Sequence, residues 1–283
     1  MSTPLVCTPK SLPLHKQVAA ARRALKLNPN NQPHPHLISR ALAGGPGGPA
    51  RLALLVGRRW PTAGVSLTVK FLDGPPADLR AHLLLHMNAW GKTANVQFRE
   101  TNGHGQVRVA RLNSPPAMAG YWSYIGTEIL DAPADEPTMN FQDFTMDMPE
   151  SEFHRVVRHE AGHTLGFVHE HMRRELVNKI NVKKAIAFFG KTQGWPPDEV
   201  RAQVLTPIEE SSLLGTAHAD PHSIMCYQIP GSITKNGKPI IGGTDIDKRD
   251  SAMAASFYPK QVHTLKKGKT TLKHRQKRKA RRS

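Results

Sequence analysis

Between Arg158 and Arg173 the chain reads R-HEAGHTLGFVHEHM-R, which contains His159, His163 and His169, with Glu160 directly after the first histidine. Imidazoles are strong ligands for zinc-type cations, and a carboxylate beside them can accept a proton. His159 and His163 are four residues apart, so an α-helix would set both rings on one face, one turn apart. His169 lies six residues further on, and continued helix would carry it to the wrong side. The chain must therefore break, and Gly166 stands where a left-handed helix terminus would be needed. The three imidazoles can then converge and leave a fourth position for water, the arrangement of a catalytic zinc. Glu160 is not needed as a ligand and can act as general base.

H-E-x-x-H alone is short and recurs by chance. The longer pattern H-E-x-x-H-x-x-G-x-x-H resembles the metzincin metallopeptidases. Its extension through Phe167, Glu170 and Arg173 is similar to the astacin family. Downstream, Ser223-Ile224-Met225-Cys226-Tyr227 resembles the methionine turn that floors the zinc site in metzincins. The resemblance covers about residues 51–259. It implies an α+β, zincin-like fold: a twisted, mixed five-stranded sheet with an active-site helix and a C-terminal helix. It also implies a zinc metalloendopeptidase that hydrolyses internal peptide bonds of polypeptide substrates. One catalytic Zn²⁺ would sit on His159, His163 and His169, with Glu160 as general base. Tyr227 would match the tyrosine that can ligate zinc and then swing to stabilise the transition state. Glu170 matches a glutamate that meets the new N-terminus after activation in astacins.

Those residues need a scaffold. Phe153, Val157, Ala161 and Leu165 form an i+4 stripe roughly opposite His159 and His163, so one helix can face both a core and a cleft. Asp147 is the expected cap of that helix. Leu52 to Trp60 and Val65 to Leu72 read as strands, the second by its alternation. A helix after Pro76 would bury Leu79, Leu83, Met87 and Trp90. It also carries His82 and His86 four apart; with nothing else expected to converge on them, a solvated face is preferred to a metal site. Val96 to Glu100 and Val107 to Arg111 read as further strands. Gly120 to Gly126 is aromatic-rich and could line the cleft rim or pack as an edge strand. Thr138 to Phe141 reads as a strand, and the metzincin resemblance implies that it forms the lower edge of the sheet and holds a substrate backbone. Val182 to Phe189, Pro197 to Val204 and Asp245 to Pro259 read as helices.

The formal net charge of +17 sits in the flanks. Residues 1–60 hold nine Lys/Arg and residues 260–283 eleven, neither with an acid, while 61–259 is slightly acidic. A nucleic-acid enzyme therefore does not follow from the overall charge. The division expected is a flexible basic N-terminal arm over 1–50, a catalytic domain over 51–259 and a basic tail over 260–283. The arm could be an inhibitory pro-segment, with Cys7 capping the zinc as a thiolate; a plain cysteine in a mobile arm is the preferred view, because one cysteine carries little information. The tail could bind an acidic polymer or nucleic acid weakly, or stay solvated. This leaves a second class of function open: a non-catalytic, zinc-stabilised protein docking acidic polymers through its tail. No apolar run is long enough for a transmembrane segment, and no signal peptide is read, so the expected location is the cytoplasm or an unconventional export route. A monomer is expected.

Overall fold

The computed structural model describes residues 7–43, 53–208 and 218–260. The Gly44 to Pro49 joint, and the basic tail beyond Lys260, lie outside these residues.

Five strands form one mixed sheet in the order β2-β1-β3-β5-β4. They are β1 Val65–Phe71, β2 Val96–Glu100, β3 Val107–Ala110, β4 Tyr121–Ser123 and β5 Met139–Phe141. All pairings are parallel except β4 on β5, with Trp122 opposite Asn140. In β1 the alternation works as expected, burying Val65, Leu67 and Val69. Strands β3 and β5 are buried along their whole length, as central strands covered on both faces must be.

The helices include α1 (Leu14–Leu27), α2 (Pro35–Ala43), α3 (Ala77–Met87), α4 (150–164), α5 (Val182–Gln193) and α6 (Lys248–Phe257). Leu79, Leu83, Met87 and Trp90 from the α3 region join Phe153, Val157, Ala161 and Leu165 from the α4 region in one core with the sheet. The middle of α4, Phe153–Val157, is a π-helical turn. A second, smaller core gathers Phe189, Val200, Val204, Ile229, Ile233 and Ile240.

Three expectations are corrected. Residues 53–55 form a helical turn within the stretch expected as a strand. Ala53 and Val56 pack on Ala21 and Ala24 of α1. Arg58, paired with Glu128 at 2.9 Å, also donates to the carbonyls of Ala53 and Val56, so a guanidinium takes acceptors that a strand would offer to a neighbour. The sheet edge beside the active-site helix is β4, and β5 lies inside, between β3 and β4. Asn140 explains the inner position: its amide bridges Leu112 O and Gly120 O, tying the chain on both sides. Finally, α4 begins after Pro149 with no side-chain cap, and the Asp147 backbone turns instead onto Thr145 Oγ1.

Candidate active site

α4 delivers His159, Glu160 and His163, all buried. The helix ends at Leu165, and Gly166 has φ +97°, a left-handed conformation that glycine adopts without strain. The chain reverses there, and His169 returns to its companions. Its Nε2 lies 3.2 Å from Nε2 of His159 and 3.1 Å from Nε2 of His163.

The second nitrogen of each helical ring is tied down. Nδ1 of His159 lies 2.6 Å from Ile224 O, and Nδ1 of His163 lies 2.7 Å from Phe167 O. A carbonyl only accepts, so each Nδ1 keeps its proton and each Nε2 presents a lone pair to the common centre. Burial pushes all three imidazoles toward the neutral form, His163 to about 4 and the other two well below the usual histidine value. The donors fit zinc: tetrahedral bonds of about 2.0–2.1 Å put ligand nitrogens roughly 3.3 Å apart, close to the separations found.

The fourth member of the cluster is Cys7, whose ligand atom lies within 4.8 Å of the three histidine nitrogens. This corrects the plain-cysteine view, for Cys7 is 6% exposed and held in place. Backbone bonds run from Thr8 N to Tyr121 O (2.9 Å) and from Lys10 N to Ser123 O (3.0 Å), so residues 7–10 lie parallel to β4 along its free edge. The carbonyl of Cys7 also accepts from the Tyr227 hydroxyl. A lone cysteine has no spacing to reveal such a position. Cys7 and Cys226 are both free thiols, so no bridge joins them; Cys226 is the small buried side chain expected.

Glu160 is fully buried, and burial raises its pKa to about 8, opposed by the Cys7 thiol and Arg155. Apart from the Cys7 thiol, neither carboxylate oxygen has a hydrogen-bond partner among the described residues, which fits a group kept free for a proton. Burial, and Glu160 after it, push the Cys7 thiol well above its ordinary value. A bound zinc ion would reverse that preference, because a coordinating thiol is deprotonated.

The Ser223 to Tyr227 turn lies beneath, with Met225 against Gly162. Asp250 of α6 holds it, accepting from Ser223 Oγ (2.6 Å) and Ile224 N (2.9 Å). Asp250 also closes a capping box with Asp247 at the start of α6. The Asp247-x-x-Asp250 spacing could have revealed the cap, but nothing in it reveals the second duty. His171 was likewise unassigned; its ring stacks on Tyr227 with centroids 3.8 Å apart. Glu170 accepts from Asp220 N (2.9 Å) and Arg173 (3.2 Å), lining a cavity of about 310 Å³ apart from the cleft. The cleft itself encloses about 410 Å³ between the two cores, and Tyr121, Arg155, Phe188 and Ile240 are among its walls.

A buried three-histidine centre on a helix and its return loop, above a methionine turn, defines the metzincin class of metallopeptidase. The chain belongs to the astacin family of peptidases, whose model matches residues 56–238. It is a zinc metallopeptidase with an α+β fold. Among solved structures it is similar to myroilysin, at 29% identity and TM-score 0.66, covering 72% of this chain and 97% of that one. A second myroilysin crystal structure matches at 29% identity and TM-score 0.55, covering 72% and 86%. High choriolytic enzyme 1, a hatching enzyme zinc-protease from the medaka fish Oryzias latipes, matches at 16% identity and TM-score 0.48, covering 71% and 93%. No curated protein matches the chain in sequence. Among the described residues no helix is long and apolar enough to cross a membrane.

Proposed function

We propose that the protein is a metalloendopeptidase cleaving internal peptide bonds, with its cleft closed by its own N-terminal segment. The observation that carries this is the convergence of three Nε2 atoms beside a buried Glu160, bonded by no group but the Cys7 thiol, in a walled cleft. His159, His163 and His169 would hold one zinc ion, which supplies a Lewis acid that acidifies water and polarises the scissile carbonyl. Glu160 takes the proton from the attacking water and passes it to the leaving amine. Tyr227 donates its hydroxyl to the oxyanion that develops on the carbonyl. Strand β4 offers its free edge to the substrate backbone, the place that residues 7–10 now take.

In this proposal the segment before α1 is an inhibitory pro-segment and 51–259 the catalytic domain. Cys7 fills the fourth position, and Tyr227 is occupied by the Cys7 carbonyl. The same contact favours a second reading, a zinc-stabilised binding protein whose basic tail docks acidic polymers. One experiment separates them: zinc content and cleavage of a peptide library, for the wild type and Cys7→Ala, with and without chelator. A peptidase gives chelator-sensitive cleavage that rises in the variant. Because the backbone of residues 7–10 still covers Tyr227 and the β4 edge in that variant, a chain lacking residues 1–12 is assayed beside it; zinc-loaded forms of both that leave the whole library intact would establish the binding protein instead.

A further inference from the structure

The pair His82 and His86 does not face solvent alone. His86 is 1% exposed, and Glu150, from the first turn of α4, comes to meet both rings. Nε2 of His82 lies 2.8 Å from Oε2 of Glu150, and Nε2 of His86 lies 3.1 Å from Oε1. These three ligand atoms lie within 4.8 Å of one another. Despite that proximity, Nε2 of His86 makes no well-formed hydrogen bond, so a buried nitrogen is aimed at a carboxylate without a partner of its own. Packing holds the rings there: His82 and His86 meet edge to face at 4.7 Å, and both rest on Phe153. A fourth donor stands close by, Nε2 of His154, 3.4 Å from Oε1 of Glu150.

We propose that His82, His86 and Glu150 form a second metal site, for a divalent transition ion of the zinc class, which fastens α3 to the start of α4. Two imidazoles and one carboxylate favour zinc, copper or nickel over calcium or magnesium, which prefer all-oxygen shells. Nitrogen–oxygen edges of about 3.3 Å suit zinc, so the observed pairs need open only slightly. A ligating imidazole offers the lone pair of one nitrogen, and His86 would offer Nε2, the atom that faces Glu150. Its Nδ1 now accepts from Arg158 Nε at 3.2 Å, which places the ring's proton on Nε2. When a metal takes Nε2, that proton moves to Nδ1. Arg158 gives up this contact, and its 3.2 Å contact to Nε2 of His154 where that ring ligates, and keeps Asp245. Water or His154 completes the shell. His82 and Glu150 are 23% and 59% exposed at the side chain, so the ion exchanges with solvent, unlike one in the buried three-histidine centre.

The test is zinc stoichiometry. The full chain and its His82→Gln and Glu150→Gln variants are brought to equilibrium by dialysis against a fixed concentration of free zinc, and the bound zinc is measured by atomic emission. Each substituted side chain is partly exposed, and the zinc retained in the three-histidine centre reports an intact fold. The expected result is two equivalents for wild type and one for each variant, with a zinc-dependent rise in melting temperature beyond the first equivalent that both variants lack. A wild type holding one equivalent overturns the proposal, leaving the trio a hydrogen-bonded cluster. Two equivalents in all three proteins overturn it equally, placing the extra ion elsewhere.

Discussion

Gly162 lies directly over Met225: a Cβ on the glycine would stand 2.6 Å from Sδ and 3.0 Å from Cζ2 of Trp90. Gly162 sits between His159 and His163, so the methionine turn can press against the ligand helix only where that helix has no side chain. Helix propensity alone would favour alanine by about 1 kcal/mol. Overpacking of a full core costs about 1–3 kcal/mol, and Trp90 cannot retreat because its indole nitrogen is bonded to Arg158 O at 2.8 Å. Gly162→Ala is therefore expected to destabilise the fold and weaken zinc retention. Urea unfolding and a zinc-chelator competition would show it; an alanine protein as stable as wild type would mean the contact is slack.

Glu160→Gln should keep its zinc and lose cleavage by about 10²–10⁴-fold, the usual contribution of a positioned general base. Metal content and single-turnover cleavage measure the two halves separately. Wild-type rates in the variant would remove Glu160 from the chemistry.

Tyr227→Phe keeps the ring stacked on His171 and deletes only the hydroxyl. Loss of one oxyanion donor lowers kcat about 10²–10³-fold in a well-studied case. The expectation is a fall in kcat with KM little changed, measured on a short peptide in a chain lacking residues 1–12, which vacates the cleft. A change confined to KM would assign the hydroxyl to substrate binding.

Asp250 makes stability depend on pH. Burial raises its pKa from 3.8 to about 6, against the pull of Ser223, Ile224 and Asp247. A folded state with the raised pKa binds more protons than the unfolded chain between those values, so this residue's contribution falls as pH rises from about 4 to about 6. Asp250→Asn cannot titrate. Its stability relative to wild type should therefore be poorest near pH 4 and should improve by up to about 3 kcal/mol by pH 7. Denaturant melts of both metal-free proteins at the two pH values give the difference directly; parallel profiles would place the carboxyl's pKa at its ordinary value.

Much of this centre was legible from local spacing. The i, i+4 histidines, the glycine at the turn and the buried Phe153, Val157, Ala161 and Leu165 stripe each depend on geometry within a few residues. What escaped depends on contacts distant in sequence. Strand order placed β4 at the edge, although the motif-like Thr138 to Phe141 suggested β5. Residues 52–60 had apolar character enough for a strand, but Arg58 satisfied their carbonyls while paired with Glu128, 70 positions away. His86 looked solvent-facing until α4 brought Glu150 against it. Cys7 had no pattern at all, and its position follows from edge pairing with Tyr121.

Asn28 and Asn31, just after α1, grip Trp60 O at 2.7 Å and Arg59 O at 2.9 Å. On the reading proposed above, the N-terminal region divides into a stopper, residues 7–12, and a mooring, α1, whose Ala21 and Ala24 pack on Ala53 and Val56. A proteolytic nick near Pro13 would release the stopper while the mooring stays bound. Opening the enzyme then requires withdrawal of one short stretch, with the rest of the molecule left standing.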